Sequence, residues 1–161
     1  MTIVSNTGPL IALAKADLLH LLNALFGQVE IPLAVHRELL AKTGAEAERI
    51  DAAVGDYVVV TDPATPTPQV LKVIHGLGPG EEKAIGLAFE RGTGLIIDDR
   101  LGRAAAKALG LIVTGTVGVL IEAKRADLIP AVRSPLEKMQ AHGYYFSDAL
   151  IDAAARLAGE L

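Results

Sequence analysis

Five short, apolar, β-branched runs are spread over residues 3 to 113, and stretches of helical periodicity fill every gap between them. The runs are Ile3-Val4-Ser5, Val29 with Ile31, Tyr57-Val58-Val59-Val60, Leu95-Ile96-Ile97 and Leu111-Ile112-Val113. Each is too short to be a helix and too apolar to lie on a surface, so each reads as a buried strand. The alternation therefore predicts an α/β fold.

The intervening periodicity predicts a helix from Pro9 to about Phe26, continuous or broken near Ala16-Asp17. Pro32 opens a helix that carries Glu38 in its second turn, and an acidic helix follows from about Ala45 to Ala53. Asp62 to Pro68 is the most proline-dense segment and reads as a loop, followed by a short helix from Gln69 to His75. Further helices are expected from Glu81-Glu82 to Arg91, from Arg100 to Leu109 and from about Val117 to Arg125. Two more, Ala131 to Ala141 and Ser147 to Gly159, flank His142-Gly143-Tyr144-Tyr145-Phe146, with Ser147-Asp148 as a cap. That cluster holds half of the chain's six aromatic residues, and its first reading is a cover over one end of the core, ahead of a docking surface.

Length and composition narrow the functional classes. At 161 residues one domain is expected, and 51% hydrophobic against 21% charged residues is a folded, not a disordered, balance. The absence of cysteine excludes disulfides and thiolate metal sites and fits a reducing compartment. No basic segment leading into an apolar stretch and cleavage site begins the chain, and no run approaches the ~20 apolar residues of a membrane span, so a cytoplasmic protein without membrane contact is expected. A net charge of -4 does not advertise a nucleic-acid binder. Lys107, Lys124, Arg125, Arg133 and Lys138 gather in the second half, a spacing better explained by solvated helix faces than by a basic patch.

Several kinds of chemistry lack their residues. There is no G-x-S-x-G, Ser5, Ser134 and Ser147 have no elbow context, and His20, His36, His75 and His142 form no zinc-spaced pair. Gly76-Leu77-Gly78-Pro79-Gly80 matches neither phosphate-loop pattern and follows no strand. What remains is oxygen. Leu95-Ile96-Ile97 stops at Asp98-Asp99, and in an open α/β sheet ligands collect beyond that end of the strands. On this stretch alone, a cap on the helix starting at Arg100 comes first. A site is favoured because Asn6 stands just past the first strand, Glu38 on the helix after the second, and Glu81 and Glu82 at a helix start. Oxygen donors from several segments suit Mg²⁺ or Mn²⁺, although Glu81 and Glu82 would favour a helix dipole anywhere and Glu38 could simply face solvent.

The ordered set Val4 to Leu13, Ile31-Pro32 through Glu38-Leu39, Gly80 to Ile85, Ile97 to Arg103 and Thr114 to Leu120 resembles the PIN-domain superfamily of metal-dependent nucleases. It is most similar to a little-characterised prokaryotic branch of predicted nucleic-acid-binding proteins, and Gly143 to Glu160 also looks like that branch. The resemblance implies a three-layer α/β/α sandwich with a central, mainly parallel sheet. Its core would span about residues 1 to 125 and a C-terminal helical extension about 126 to 161. It implies Glu38, Glu81 and Asp99 as catalytic residues, and Asn6, Glu81, Asp98 and Asp99 around Mg²⁺ or Mn²⁺. It also implies an RNA substrate, an antitoxin partner where the protein is a toxin, and a homodimer. Asn6 departs from the usual first Asp: its carbonyl oxygen can ligate, but the site loses one negative charge. The rival reading is a PIN-like module with weakened or lost catalysis that binds RNA or a protein. A receiver or phosphatase needs an acidic nucleophile at an early strand, which Ser5-Asn6-Thr7 does not supply.

Overall fold

The computed structural model describes residues 2–160. Strands β1 (Thr2–Ser5), β2 (Gln28–Pro32), β3 (Val58–Thr61), β4 (Leu95–Ile96) and β5 (Val113–Thr114) form one sheet in the order β3-β2-β1-β4-β5, parallel at every pairing. Chain order steps outward from β1 on one side, then β4 returns to pair with the other side of β1. The order reverses there, so the crevice beyond β1 and β4 is the topological switch point of the sheet.

Helices cover both faces, giving the three-layer α/β/α arrangement. One face carries Ile3, Val29, Ile31 and Ile96, packed against α1 (Thr7–Lys15), α2 (His20–Phe26), α3 (Leu33–Leu40), α4 (Ala45–Val54), α8 (Thr116–Arg125), α9 (Arg133–Ala141) and α10 (Asp148–Leu157). The other carries Val4, Leu95 and Ile97 under α5 (Pro68–Ile74), α6 (Pro79–Arg91) and α7 (Arg100–Ala108). The alternation of side chains along each strand divides Ile3 from Val4 and Leu95 from Ile96.

Two expectations are resolved by local geometry. The first long apolar stretch is two helices: Asp17 adopts φ 56, Leu18 N donates to Leu13 O at 2.8 Å, and α1 and α2 are bent by 118°. Among the described residues no single helix is long and apolar enough to cross a membrane. The last strand is Val113–Thr114, not Leu111 to Val113. Gly110 turns at φ 80 and Leu111 N still donates to Ala106 O, so Leu111 belongs to the end of α7 and Ile112 is left 81% exposed. Three of the basic residues of the second half are paired with carboxylates: Lys124 with Glu160, Arg125 with Glu122 and Arg133 with Asp152.

Glu30, on β2, is buried, and its carboxylate accepts from both Arg91 Nε at 2.9 Å and Arg91 Nη2 at 3.0 Å and from Thr61 Oγ1 at 2.5 Å. The Arg91 bonds hold its pKa below the usual carboxylate value against the opposing effect of burial. A carboxylate with a lowered folded value contributes stability that is complete above its unfolded value near ~4.3 and is lost as pH falls through the folded one. Glu30→Gln should therefore be less stable than the wild type in neutral denaturant titrations, with the gap shrinking below about pH 4. Leu13, fully buried on α1, should cost about 2–5 kcal/mol when changed to Ala in the same assay.

Candidate metal centre

Asn6 is the N-cap residue of α1, yet its side chain makes no capping bond. An N-cap side chain accepts from the amide two or three positions on. Here Pro9, three positions on, has no N–H to give, and the amide of Gly8, two positions on, does not bond to the side chain. The Asn6 side chain is free for another partner, and its Oδ1 is buried with none among the described residues. Buried polar atoms are rarely left unpaired, since losing water without a replacement costs about 1–3 kcal/mol. Asn6 itself is 7% exposed and lines a pocket of about 840 Å³ at the switch point.

Glu38, Glu81, Asp98 and Asp99 line the same pocket as Asn6, whereas Glu82, the other acidic residue at the helix start that holds Glu81, does not. Each arrives by a different local route. Glu38 projects from α3 and accepts from Thr7 Oγ1 at 2.5 Å, which ties it to the first turn of α1. Gly80 lets it lie over the start of α6: a Cβ there would stand 2.5 Å from Glu38 Oε1. Glu81 is in the first turn of α6, where a carboxylate suits the helix dipole. Asp99 caps α7 by accepting from Gly102 N at 2.7 Å through Oδ2, so the capping reading holds for that oxygen, while Oδ1 makes no hydrogen bond among the described residues.

Asp98 is held more completely. Oδ1 accepts from Thr116 N at 2.7 Å, and Oδ2 accepts from Thr116 Oγ1 at 2.5 Å and Tyr144 Oη at 2.6 Å. Gly115 clears the way, since a Cβ there would lie 2.6 Å from Asp98 Oδ1. Burial, then the neighbouring Asp98 charge, pushes the Tyr144 phenol far above its ordinary value, so it stays a proton donor to the carboxylate. Three of about four acceptor positions on Asp98 are thus occupied. The aromatic segment between α9 and α10 does more than cover the core: Tyr144 docks it onto the acidic pocket.

Arg103 also lines the pocket and donates from Nη1 to Ile97 O at 3.0 Å. Thr7, Arg103, Thr116 and Tyr144 were not picked out by the sequence reading as site residues. The partners of Thr7, Thr116 and Tyr144 lie 31, 18 and 46 residues away in Glu38 and Asp98, beyond any local motif, while Arg103 bonds back to Ile97 within the segment Ile97 to Arg103.

The donor set fits a hard divalent cation in kind. It is all oxygen, and the unpartnered Asn6 carbonyl is the sort of group a cation would satisfy. Among the described residues, no three acidic or histidine side chains converge closely enough to hold one ion by themselves. Such an ion would keep several waters, as Mg²⁺ ordinarily does.

A family model described as a PIN domain matches residues 2–160, and the chain belongs to the PIN-domain family. No curated protein matches the chain.

The bonds to Asp98 predict a structural effect separable from metal binding. Asp98→Asn, melted in EDTA, should lose about 1–3 kcal/mol of stability, because an amide presents N–H₂ to donors that need an acceptor. An unchanged melting temperature would show that the Thr116 and Tyr144 bonds contribute nothing to folding.

Proposed function

We propose that this PIN domain is a Mg²⁺- or Mn²⁺-dependent endoribonuclease, and that it serves as the toxin of a toxin–antitoxin pair. The observation that carries the metal site is the buried, unpartnered Oδ1 of Asn6 in a pocket that also holds Glu38, Glu81 and Asp99. The family membership supports nucleic acid as the substrate class.

In this reading Glu81 and the free Oδ1 of Asp99 are direct ligands, and Asn6 adds a neutral oxygen. Glu38, fixed by the Thr7 hydroxyl, orients the attacking water and accepts its proton. Asp98, expected among the metal residues, enters this reading as a tie between the end of β4, the start of α8 and the C-terminal segment, because its acceptor positions are largely filled. Arg103 supplies positive charge for a phosphate oxygen in the pocket. A bound divalent ion lowers the pKa of a coordinated water and offsets charge growing on the scissile phosphate. The cytoplasm, an antitoxin partner and a homodimer belong to the same proposal. Exposed Leu101 and Ile112, at 68% and 81%, offer apolar surface for the last two.

A second reading, a PIN module that binds RNA or protein without cutting, is favoured by the missing charge at Asn6 and by the absence of three converging carboxylates among the described residues. Calorimetric titration of Mg²⁺ and Mn²⁺, run beside cleavage of a fluorescent RNA, separates the two. Asn6→Asp should tighten metal binding by about tenfold, since a full charge replaces a dipole beside the cation. Asp99→Asn should weaken both binding and cleavage. If neither variant moves either quantity, the pocket is not a metal site and Asp99 is a helix cap alone.

A further inference from the structure

The pocket is only partly acidic. Its other wall is apolar, built from Val117 and Ile121 one turn apart on α8 and from Tyr145 and Leu150 of the C-terminal segment. Tyr145 is 76% exposed and Leu150 43% exposed, whereas the aromatic residues on either side of Tyr145 are tied down. Tyr144 donates to Asp98, and its ring centroid lies 5.3 Å from that of Phe146, which is buried. Phe146 N donates to Gln140 Oε1 at 3.3 Å, and Ser147 Oγ caps α10 by accepting from Leu150 N at 3.1 Å. Both ends of the segment are thereby fixed. The Tyr145 ring is presented to solvent on an anchored backbone, at the rim of the pocket that holds the acidic residues.

A chain of net charge -4 draws little affinity from phosphates, because non-specific attraction to nucleic acid scales with the cations that replace counterions. Contacts that do not depend on charge must supply it. An exposed aromatic face held in place loses little freedom on binding, and stacking on a base is the sequence-tolerant contact that single strands offer. We propose that Tyr145 is the stacking platform for a nucleobase of single-stranded RNA next to the phosphate held in the acidic pocket, with Leu150 and the α8 wall beneath that base. This assigns a substrate-binding role to the C-terminal extension and rests on the nuclease reading for the position of the phosphate.

The test compares two fluorescent oligomers of equal length by anisotropy, an oligoriboadenylate and an abasic strand with the same phosphates. Each is titrated with the wild type, Tyr145→Ala and Tyr145→Phe, in Mg²⁺ and again in EDTA, with cleavage followed separately. The wild type should prefer the oligoriboadenylate. Tyr145→Ala should weaken that binding about tenfold and leave the abasic strand unaffected, and Tyr145→Phe should keep it, since the ring and not the hydroxyl stacks. Equal wild-type affinity for both strands overturns the proposal and leaves the apolar wall to a peptide partner, and so does a Tyr145→Ala loss of the same size on both. Base-dependent, Tyr145-dependent binding without cleavage would sink the nuclease reading alone. Cleavage that persists with no Tyr145 effect on binding would sink this inference alone.

Discussion

Pairing of β1 with β4 is the constraint from which the pocket follows. Ser5 lies beside Ile96, and the ladder closes with Asn6 N donating to Ile96 O at 2.9 Å, so the chain leaves both strands at the same level. From there α1 packs into one core and α7 into the other. Two helices departing on opposite faces open a crevice between their first turns, and Asn6, Asp98 and Asp99 stand at its mouth because they are the residues that follow those strands. Glu38 and Glu81 reach the same crevice from α3 and α6, which Gly80 allows to approach closely.

The carboxylates outside the pocket and those lining it are satisfied in different ways. Glu30 meets Arg91 and Glu46 meets Lys15, and both carboxyl groups are held below their ordinary value by those partners; Glu160 is held below its own, against burial, by the Val132 amide and then by Lys124. In the pocket the partners are neutral: the Thr7 hydroxyl for Glu38, the Gly102 amide for Asp99, and Thr116 with Tyr144 for Asp98. Neutral donors fix the position of a carboxylate without cancelling its charge. Carboxylates gathered in one pocket repel one another; Arg103 lines it too, and a divalent ion held among them would relieve that repulsion more completely than one guanidinium bonded to Ile97 O. The buried oxygen of Asn6 adds to the same demand.

Much of this was legible in the sequence because it depends on local rules. The apolar runs at Ile3, Val29, Val58 and Leu95 marked strands, and an acidic pair at the end of one of them pointed to the carboxyl edge of the sheet. The matches that gave the PIN resemblance are short segments around strand ends and helix starts, which is where this fold concentrates its constraints. The strand at Leu111 was misplaced because an apolar run cannot reveal that Leu111 N still bonds to the preceding helix. Thr116 and Tyr144 escaped notice for a similar reason. A threonine opening a helix and a tyrosine in an aromatic run have ordinary local explanations, and only the fold shows that both donate to Asp98.

The central claim is that the switch-point crevice gathers its oxygen donors around a divalent cation. Crystals grown with Mn²⁺ and measured for its anomalous scattering test this directly. A manganese peak is expected within ligand distance of oxygen from Asp99, Glu81 or Asn6, with waters completing its shell. A well-ordered crystal with the pocket empty of manganese, or with manganese bound only elsewhere on the surface, would contradict it.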